Sequence, residues 1–370
     1  MTMTLTPHEP VATPSRSRLA LVAFWIRQNL FSSVTNSLLT LFCIWMLWIV
    51  VPPLLNWLVF QANWTGTSRA DCTRDGACWV FIHARFGQFM YGLYPFDQRW
   101  RINLTLLVGL LSIWPMFWRA MPSRGRYIVC WAVAFPIFTW VMLYGGFFGL
   151  SRVETRQWGG LTLTLIIASV GIAGALPLGV LLALGRRSKM PVVKWFSIIF
   201  IELWRGVPLI TVLFMSSVML PLFLSEGTNI DKLIRALVGV IMFQSAYVAE
   251  VVRGGLQALP KGQYEAAESL ALGYWKTQGL VILPQALKLV IPSLVNTIIE
   301  LFKDTSLVVI IGLFDLFSSV QQATVDPAWL GMSTEGYVFA ALVYWLFCFG
   351  MSRYSQHLER RFHTGHSSTH

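Results

Sequence analysis

The chain has 370 residues, and its charged share of 12% is about half that of soluble domains, while 55% of its residues are hydrophobic. An ordinary soluble enzyme is excluded. Its 28 Lys and Arg against 17 Asp and Glu leave a net charge of +11, which in a soluble protein would point to nucleic acid; in a chain this apolar, basic loops held on one side of a membrane account for it better, and no nucleic-acid partner is expected.

A hydrocarbon core of about 30 Å takes roughly 20 helical residues. The first 18 residues are rich in Thr, Ser and Pro and lack an apolar stretch, so a disordered tail is predicted within a cytoplasmic segment 1–27. Nothing between Arg27 and Arg69 is charged, and Asn36 to Phe60 predicts a first span, kinked in its outer part by Pro52 and Pro53. That span is too long for a cleaved signal and is expected to stay attached. A polar stretch, 61–101, follows. There Cys72 and Cys78 are spaced for a disulfide in an oxidising compartment, or remain two thiols. Zinc would need more ligands than His83 adds, so no metal is expected. Further spans are predicted at 103–118, 128–150, 158–184, 196–222, 233–255, 289–313 and 336–352, making about eight in an all-α integral membrane protein. Cys43, Cys130 and Cys348 fall within spans as packing thiols.

With the N-terminus inside, the inner segments hold 17 basic residues and the outer ones 9. Both termini are therefore predicted to be cytoplasmic. A break falls near residue 155. Before it lies an accessory region, 28–154, of three charge-free spans; after it lies a core, 155–357, whose spans carry Glu202, Arg205, Glu250, Glu300, Lys303 and Asp304, followed by a tail, 358–370. Charges at such depth are costly and rarely face lipid, so these helices are expected to line an interior. No repeat joins the two halves, which hints at a second subunit.

Between the sixth and seventh spans runs Leu259-Pro260-Lys261-Gly262-Gln263-Tyr264-Glu265-Ala266-Ala267-Glu268-Ser269-Leu270-Ala271-Leu272-Gly273-Tyr274-Trp275-Lys276, continuing to Leu283-Pro284-Gln285-Ala286. Strong helix formers from 264 to 272 with Gly273 as a stop predict a short helix, a turn and a second short helix on the cytoplasmic face. Glu265 and Glu268, three residues apart, share one helix edge, and taken alone this is a solvated helix.

The segment resembles the E-A-A motif of ATP-binding-cassette importer permeases: E-A-A, three residues, G, nine residues, a branched apolar residue, one residue, L-P. Glu265, Ala266 and Ala267 match, Val281 takes the apolar place and Leu283-Pro284 close it, while Ala271 stands at the glycine position. Alanine reaches positive φ only at a cost, so the turn is expected to be helical there or to have moved to Gly273. Gly160 to Leu165, Arg205-Gly206-Val207-Pro208-Leu209, Ser245 to Gly255 and Lys303-Asp304-Thr305-Ser306-Leu307 resemble the polar amino-acid branch of that family over 155–357. The remainder, including Phe86-Gly87-Gln88-Phe89 and Met351 to Gln356, is similar to the long M-type permease of general and polar L-amino-acid importers.

The resemblance implies a type I permease core of five helices with a cytoplasmic coupling helix, in a bacterial inner membrane. It implies a partner ATPase dimer, a second homologous permease and a periplasmic amino-acid-binding protein. The chain has no G-x-x-x-x-G-K-[ST] phosphate loop, so no cofactor is expected in it and ATP and Mg are expected in the partner ATPase. Glu265 and Glu268 would meet basic or amide groups of an ATPase cleft, with Ala266, Ala267 and Leu270 filling the groove and Gly273, Leu283 and Pro284 shaping the loop.

An amino-acid zwitterion needs a donor or cation and an acceptor or anion away from bulk water. Asn296, Glu300, Lys303 and Asp304 fall at i, i+4, i+7 and i+8, along one helix face, with the hydroxyls of Thr305 and Ser306 beyond. Two readings are open: substrate contact, or a charge network satisfied between helices. Arg205 faces the same choice between a ligand carboxylate and Glu202 at i−3. Gln244 and Tyr247 are candidates for hydrogen bonds to substrate or for packing, and Glu250 with Arg253 for an inner gate pair. The rival function is an ion-coupled secondary amino-acid transporter in which Glu300 and Asp304 carry protons. No nucleophile triad or metal cluster suggests an enzyme.

Overall fold

The computed structural model describes residues 18–73, 75–117, 124–223, 225 and 230–362; the outermost parts of both expected tails, Arg74 and Arg119 lie outside the described residues. Those residues are helical almost throughout, with one two-residue strand, Phe314–Asp315. Two compact units divide the chain, 1–66 with 70–79 and 67–69 with 80–370, so the accessory region expected over 28–154 contributes to both.

In the smaller unit, α1 (Arg18–Asn29) precedes α2 (Val34–Leu55), which opens on Ser33, whose hydroxyl accepts the Asn36 N–H at 3.2 Å. Pro52 and Pro53 remove two donors, yet the helix runs on as a π-helical turn, Asn56–Phe60, and the Asn56 N–H still reaches the carbonyls of both prolines. Beyond it the backbone of Asn63 accepts from Trp79 at 2.9 Å and donates to Ala77 at 2.8 Å. A disulfide joins Cys72 and Cys78, their Cα atoms 5.6 Å apart. Gly76 is required there, because a Cβ would stand 1.9 Å from the Gln61 carbonyl oxygen.

The larger unit begins with α3 (Trp79–Tyr91), α4 (Arg99–Ile113) and α5 (Arg124–Tyr144). Next come α6 (Gly160–Arg186), α7 (Pro191–Gly206), α8 (Leu209–Phe214) and α9 (Lys232–Ala258). A loop assembly of α10 (Lys261–Ser269), α11 (Tyr274–Lys276) and α12 (Leu283–Leu289) leads to α13 (Ile291–Asp304), a 3₁₀ segment Thr305–Ile311, α14 (Leu316–Thr324) and α15 (Ser333–Phe362).

Among the described residues, five helices are long and apolar enough to cross a membrane, or six if the pair Pro191–Gly206 and Leu209–Phe223, bent by 102°, counts as one span. The expected eight is not confirmed. The stretch predicted at 103–118 is a 15-residue helix that gives way to a 3₁₀ turn at Trp114 and Pro115. The stretch predicted at 289–313 breaks at Val290, resumes with Pro292 in the first turn of α13, and tightens into 3₁₀ geometry until Gly312 ends it at φ +71°. Hydropathy sees apolar content over these windows but not the helical register that carries it.

The centre of the unit is the pair α6 and α9. Gly171, Ala175 and Gly179 recur every fourth residue on α6, a small-residue seam that lets backbones approach. A Cβ on Gly179 would lie 2.5 Å from Val248 Cγ1 and 2.9 Å from the Ser245 carbonyl oxygen. One buried cluster fills the half of the pair near the start of α9, including Leu163, Ile167, Leu213, Val240 and Leu301. Another fills the half near its end, including Ala183, Ile201, Val252, Ile282 and Ala286. Residues 80–154 are tied together by the Tyr94 hydroxyl, which donates to the Leu143 carbonyl at 2.8 Å, and lean on this core through the Thr162 hydroxyl, which donates to the Met90 carbonyl at 2.8 Å. Asp315 is fully buried, accepts the Ser318 N–H at 3.0 Å to cap α14, and accepts the Tyr344 hydroxyl of α15 at 2.9 Å.

Candidate functional site

Three clusters along α9 include all of the residues that the sequence singles out in the core except Asn296, Thr305 and Ser306. The first is the loop after its C-terminus. Pro260 opens α10, and the exposed residues on it include Glu265, Ala266 and Glu268, whereas Ala267 is only 2% exposed and packs inward. The outward face is therefore Glu265, Ala266, Glu268 and Leu270, with Trp275 of α11 added at 70% exposure. Trp275 was missed because a lone Trp beside a membrane reads as a belt residue.

The helix does not stop at Gly273. The Leu272 N–H reaches the Ala267 carbonyl at 3.2 Å and the Ala271 N–H that of Glu268 at 2.8 Å, the two bonds of a Schellman closure, and Ala271 itself takes the left-handed conformation at φ +53°. Gly273 has φ −65° in extended backbone and leads into α11. The alanine at the motif's glycine position thus adopts the backbone a glycine would, rather than handing the turn on. Leu283 and Pro284 open α12. The loop is tied back by Arg187, whose Nη1 donates to the Leu256 carbonyl at 2.8 Å and to the Tyr264 hydroxyl at 2.9 Å, with the guanidinium 5.3 Å from that ring's centroid. Gln285 donates to Gln263 at 3.1 Å.

The second cluster joins the ends of α6, α7 and α9. Glu250 accepts from Arg186 of α6 at 2.7 Å and from Arg253 on its own helix at 2.7 and 3.0 Å, with Arg205 of α7 at 3.8 Å. Glu202 pairs with Arg186 at 3.0 Å. Of the two partners open to Arg205, a ligand carboxylate or Glu202, the second is taken by Arg186, and Arg205 stands nearest Glu250 because the ends of α7 and α9 meet there. Arg186 was counted only as a loop charge; its position as the last residue of α6 brings it in.

The third is a pocket of about 390 Å³ between α9 and α13, lined by Phe243, Gln244, Tyr247, Glu300, Lys303 and Asp304. It gathers five of the nine expected route residues. Among the described residues none of Glu300, Lys303 and Asp304 forms an ion pair within the chain. The satisfied charge network is thus found at Glu250 and not here. Gln244 is committed to structure, its Nε2 donating to the Thr297 carbonyl at 2.7 Å inside the core. Asn296 is exposed and outside the lining. Thr305 and Ser306 turn their hydroxyls back to the carbonyls of Phe302 and Lys303 at 2.8 and 2.9 Å. Arg205 lies 5.9 Å from the Tyr247 ring centroid, so that one ring touches both pocket and charge cluster.

Comparison with known proteins gives these clusters a context. Residues 175–364 match the family described as binding-protein-dependent transport system inner membrane component. The inner membrane amino-acid ABC transporter permease protein YhdY of Escherichia coli (strain K12) is 78% identical over 365 residues, covering 99% of both chains. The glutamate/glutamine/aspartate/asparagine transport system permease protein BztC of Rhodobacter capsulatus is 37% identical, covering 92% of this chain and 94% of its own. The glutamate/aspartate import permease protein GltK of Escherichia coli O6:H1 is 33% identical over 55% of this chain and 91% of its own.

Proposed function

Because the chain belongs to the family of binding-protein-dependent transport system inner membrane components, we propose that it is the membrane-spanning permease subunit of an ATP-driven importer of amino acids. It is a multi-pass membrane transporter subunit and not an enzyme. The observation that carries the proposal is α10: a short helix between two membrane helices presents Glu265, Ala266, Glu268 and Leu270 outward. A secondary transporter driven by ions has no use for such a docking face, and that rival is not favoured.

In this reading an ATPase dimer receives the 260–284 loop, holds ATP and Mg itself, and passes its closure through α10 and α12 to the membrane helices. A periplasmic binding protein delivers the amino acid, a second homologous permease completes the pathway, and membrane lipid surrounds the outer helices. Both termini lie in the cytoplasm. The amino acid crosses at the pocket between α9 and α13, where Lys303 meets its carboxylate and Glu300 or Asp304 its ammonium; among the described residues these three side chains form no ion pair that the ligand would have to break. Ligands of the polar kind suit such mixed signs, in keeping with the name that BztC carries.

The test is uptake by proteoliposomes holding the full complex. Glu265→Arg is expected to abolish co-purification of the ATPase while the subunit still inserts, and unchanged co-purification and transport would remove the coupling role. Asp304→Asn is expected to lower uptake at least tenfold with assembly intact; wild-type uptake would take the residue out of the route.

A further inference from the structure

At the end of α9 opposite the docking loop lies another pocket, of about 530 Å³, lined by residues that the importer reading does not use. Four of its side chains are cationic, Arg152, Arg156, Lys232 and Arg235, and two are anionic, Glu154 and Asp231. The two carboxylates are already engaged. Glu154 pairs with Arg156 at 2.6 Å, and Asp231 accepts the Leu233 N–H at 2.9 Å as the cap of α9 while taking the Thr155 hydroxyl at 2.6 Å. Among the described residues no carboxylate pairs with Arg152 or Lys232. Arg152 rests on the Tyr144 ring, its guanidinium 5.0 Å from the centroid. Gly312 leaves open the space beside the Lys232 amine, which stands 3.6 Å from where a Cβ would be.

Arg235 sharpens the case. It is 9% exposed, uses Nη1 on the Ser217 carbonyl, and leaves Nε buried without a hydrogen-bond partner while its side chain lines the pocket. A buried, unsatisfied guanidinium nitrogen is costly and calls for an acceptor. Two unpaired cations and one unsatisfied donor fit two carboxylate groups better than one, and fit no cation or apolar ligand.

We propose that this pocket is a receiving site for a small solute bearing two carboxylates, of which an acidic amino acid is the type. Arg152 and Lys232 take one carboxylate and the inner side of Arg235 the other. Lys232 and Arg235 share α9 with Gln244 and Tyr247, about 14–22 Å further along the helix axis, so a solute held here stands on the approach to the α9–α13 pocket. The inference rests on the importer reading for the direction of travel, but binding does not depend on it.

The experiment titrates the purified complete importer in detergent, without its binding protein, first with L-glutamate and then with L-glutamine. Glutamate is expected to bind at least tenfold more tightly than glutamine. The exposed side chains of Arg152 and Lys232 allow Arg152→Gln and Lys232→Gln to fold, and each is expected to weaken glutamate about tenfold, the loss of one charge-assisted hydrogen bond. Asp304→Asn is read by uptake alone: wild-type uptake there would sink the α9–α13 route and leave the effect of Arg152→Gln and Lys232→Gln on the titration as the separate test of this pocket. Equal affinity for glutamine, or unchanged glutamate binding when Arg152→Gln and Lys232→Gln are combined, would each overturn the proposal.

Discussion

Glu250 and Asp304 are both carboxylates on helices of one unit, yet their surroundings are opposite. Glu250 collects three guanidiniums from three helices, while Asp304 and its neighbours Glu300 and Lys303 line a pocket with no ion pair in the chain. The difference teaches that two groups of charges in one helical unit can be left in opposite states: paired across helix ends, where they fasten them, and unpaired around a cavity, where the proposed route runs. Stability measurements should therefore separate the two sites where uptake measurements alone would not.

The comparison breaks most visibly at Glu250. Replacing it with Ala leaves three arginines without their shared acceptor and is expected to cost about 3–5 kcal/mol, read as lost yield and a lower unfolding midpoint in detergent; a midpoint at the wild-type value would show that the cluster fastens nothing. Gly179→Val, which touches no charge, asks whether the α6–α9 seam or the ion cluster holds the helices. With its Cβ 2.5 Å from Val248 and 2.9 Å from a backbone oxygen, it is expected to cost about 1–3 kcal/mol through overpacking. Ala271→Gly is expected to stabilise the loop by about 1 kcal/mol, since glycine takes positive φ freely, and lower resistance of the loop to proteolysis would contradict that. The smallest effect on stability belongs to Asp304→Asn, expected within about 0.5 kcal/mol despite its large effect on uptake. A loss as large as that of Glu250→Ala would erase the distinction between the two sites.

What was legible in the sequence was local. α2, α6, α9 and α15 announce themselves as apolar runs, and the 260–284 loop as a helix-forming stretch between two of them, because each signal is complete within its own window. The pairing of charges was not. Arg205 finds Glu250, 45 positions on, rather than Glu202 three positions back, and Gln244 spends its amide on Thr297. Both outcomes depend on which helix ends converge, and no spacing along one helix encodes that. Ala271 marks a subtler limit: residue preference favours Gly273 for the turn, but the local hydrogen bonds that close the helix place it two residues earlier.

That closure also has a mechanical meaning. Nine residues of helix make α10 an arm about 14 Å long, sealed at one end by two backbone hydrogen bonds and pinned beside its middle where Arg187 grips Tyr264. A push at Glu265 meets the backbone bonds before it meets any rotatable side chain. Under the proposed coupling role, a stiff arm of this kind would pass a displacement on to Thr277 and α12 instead of absorbing it as slack.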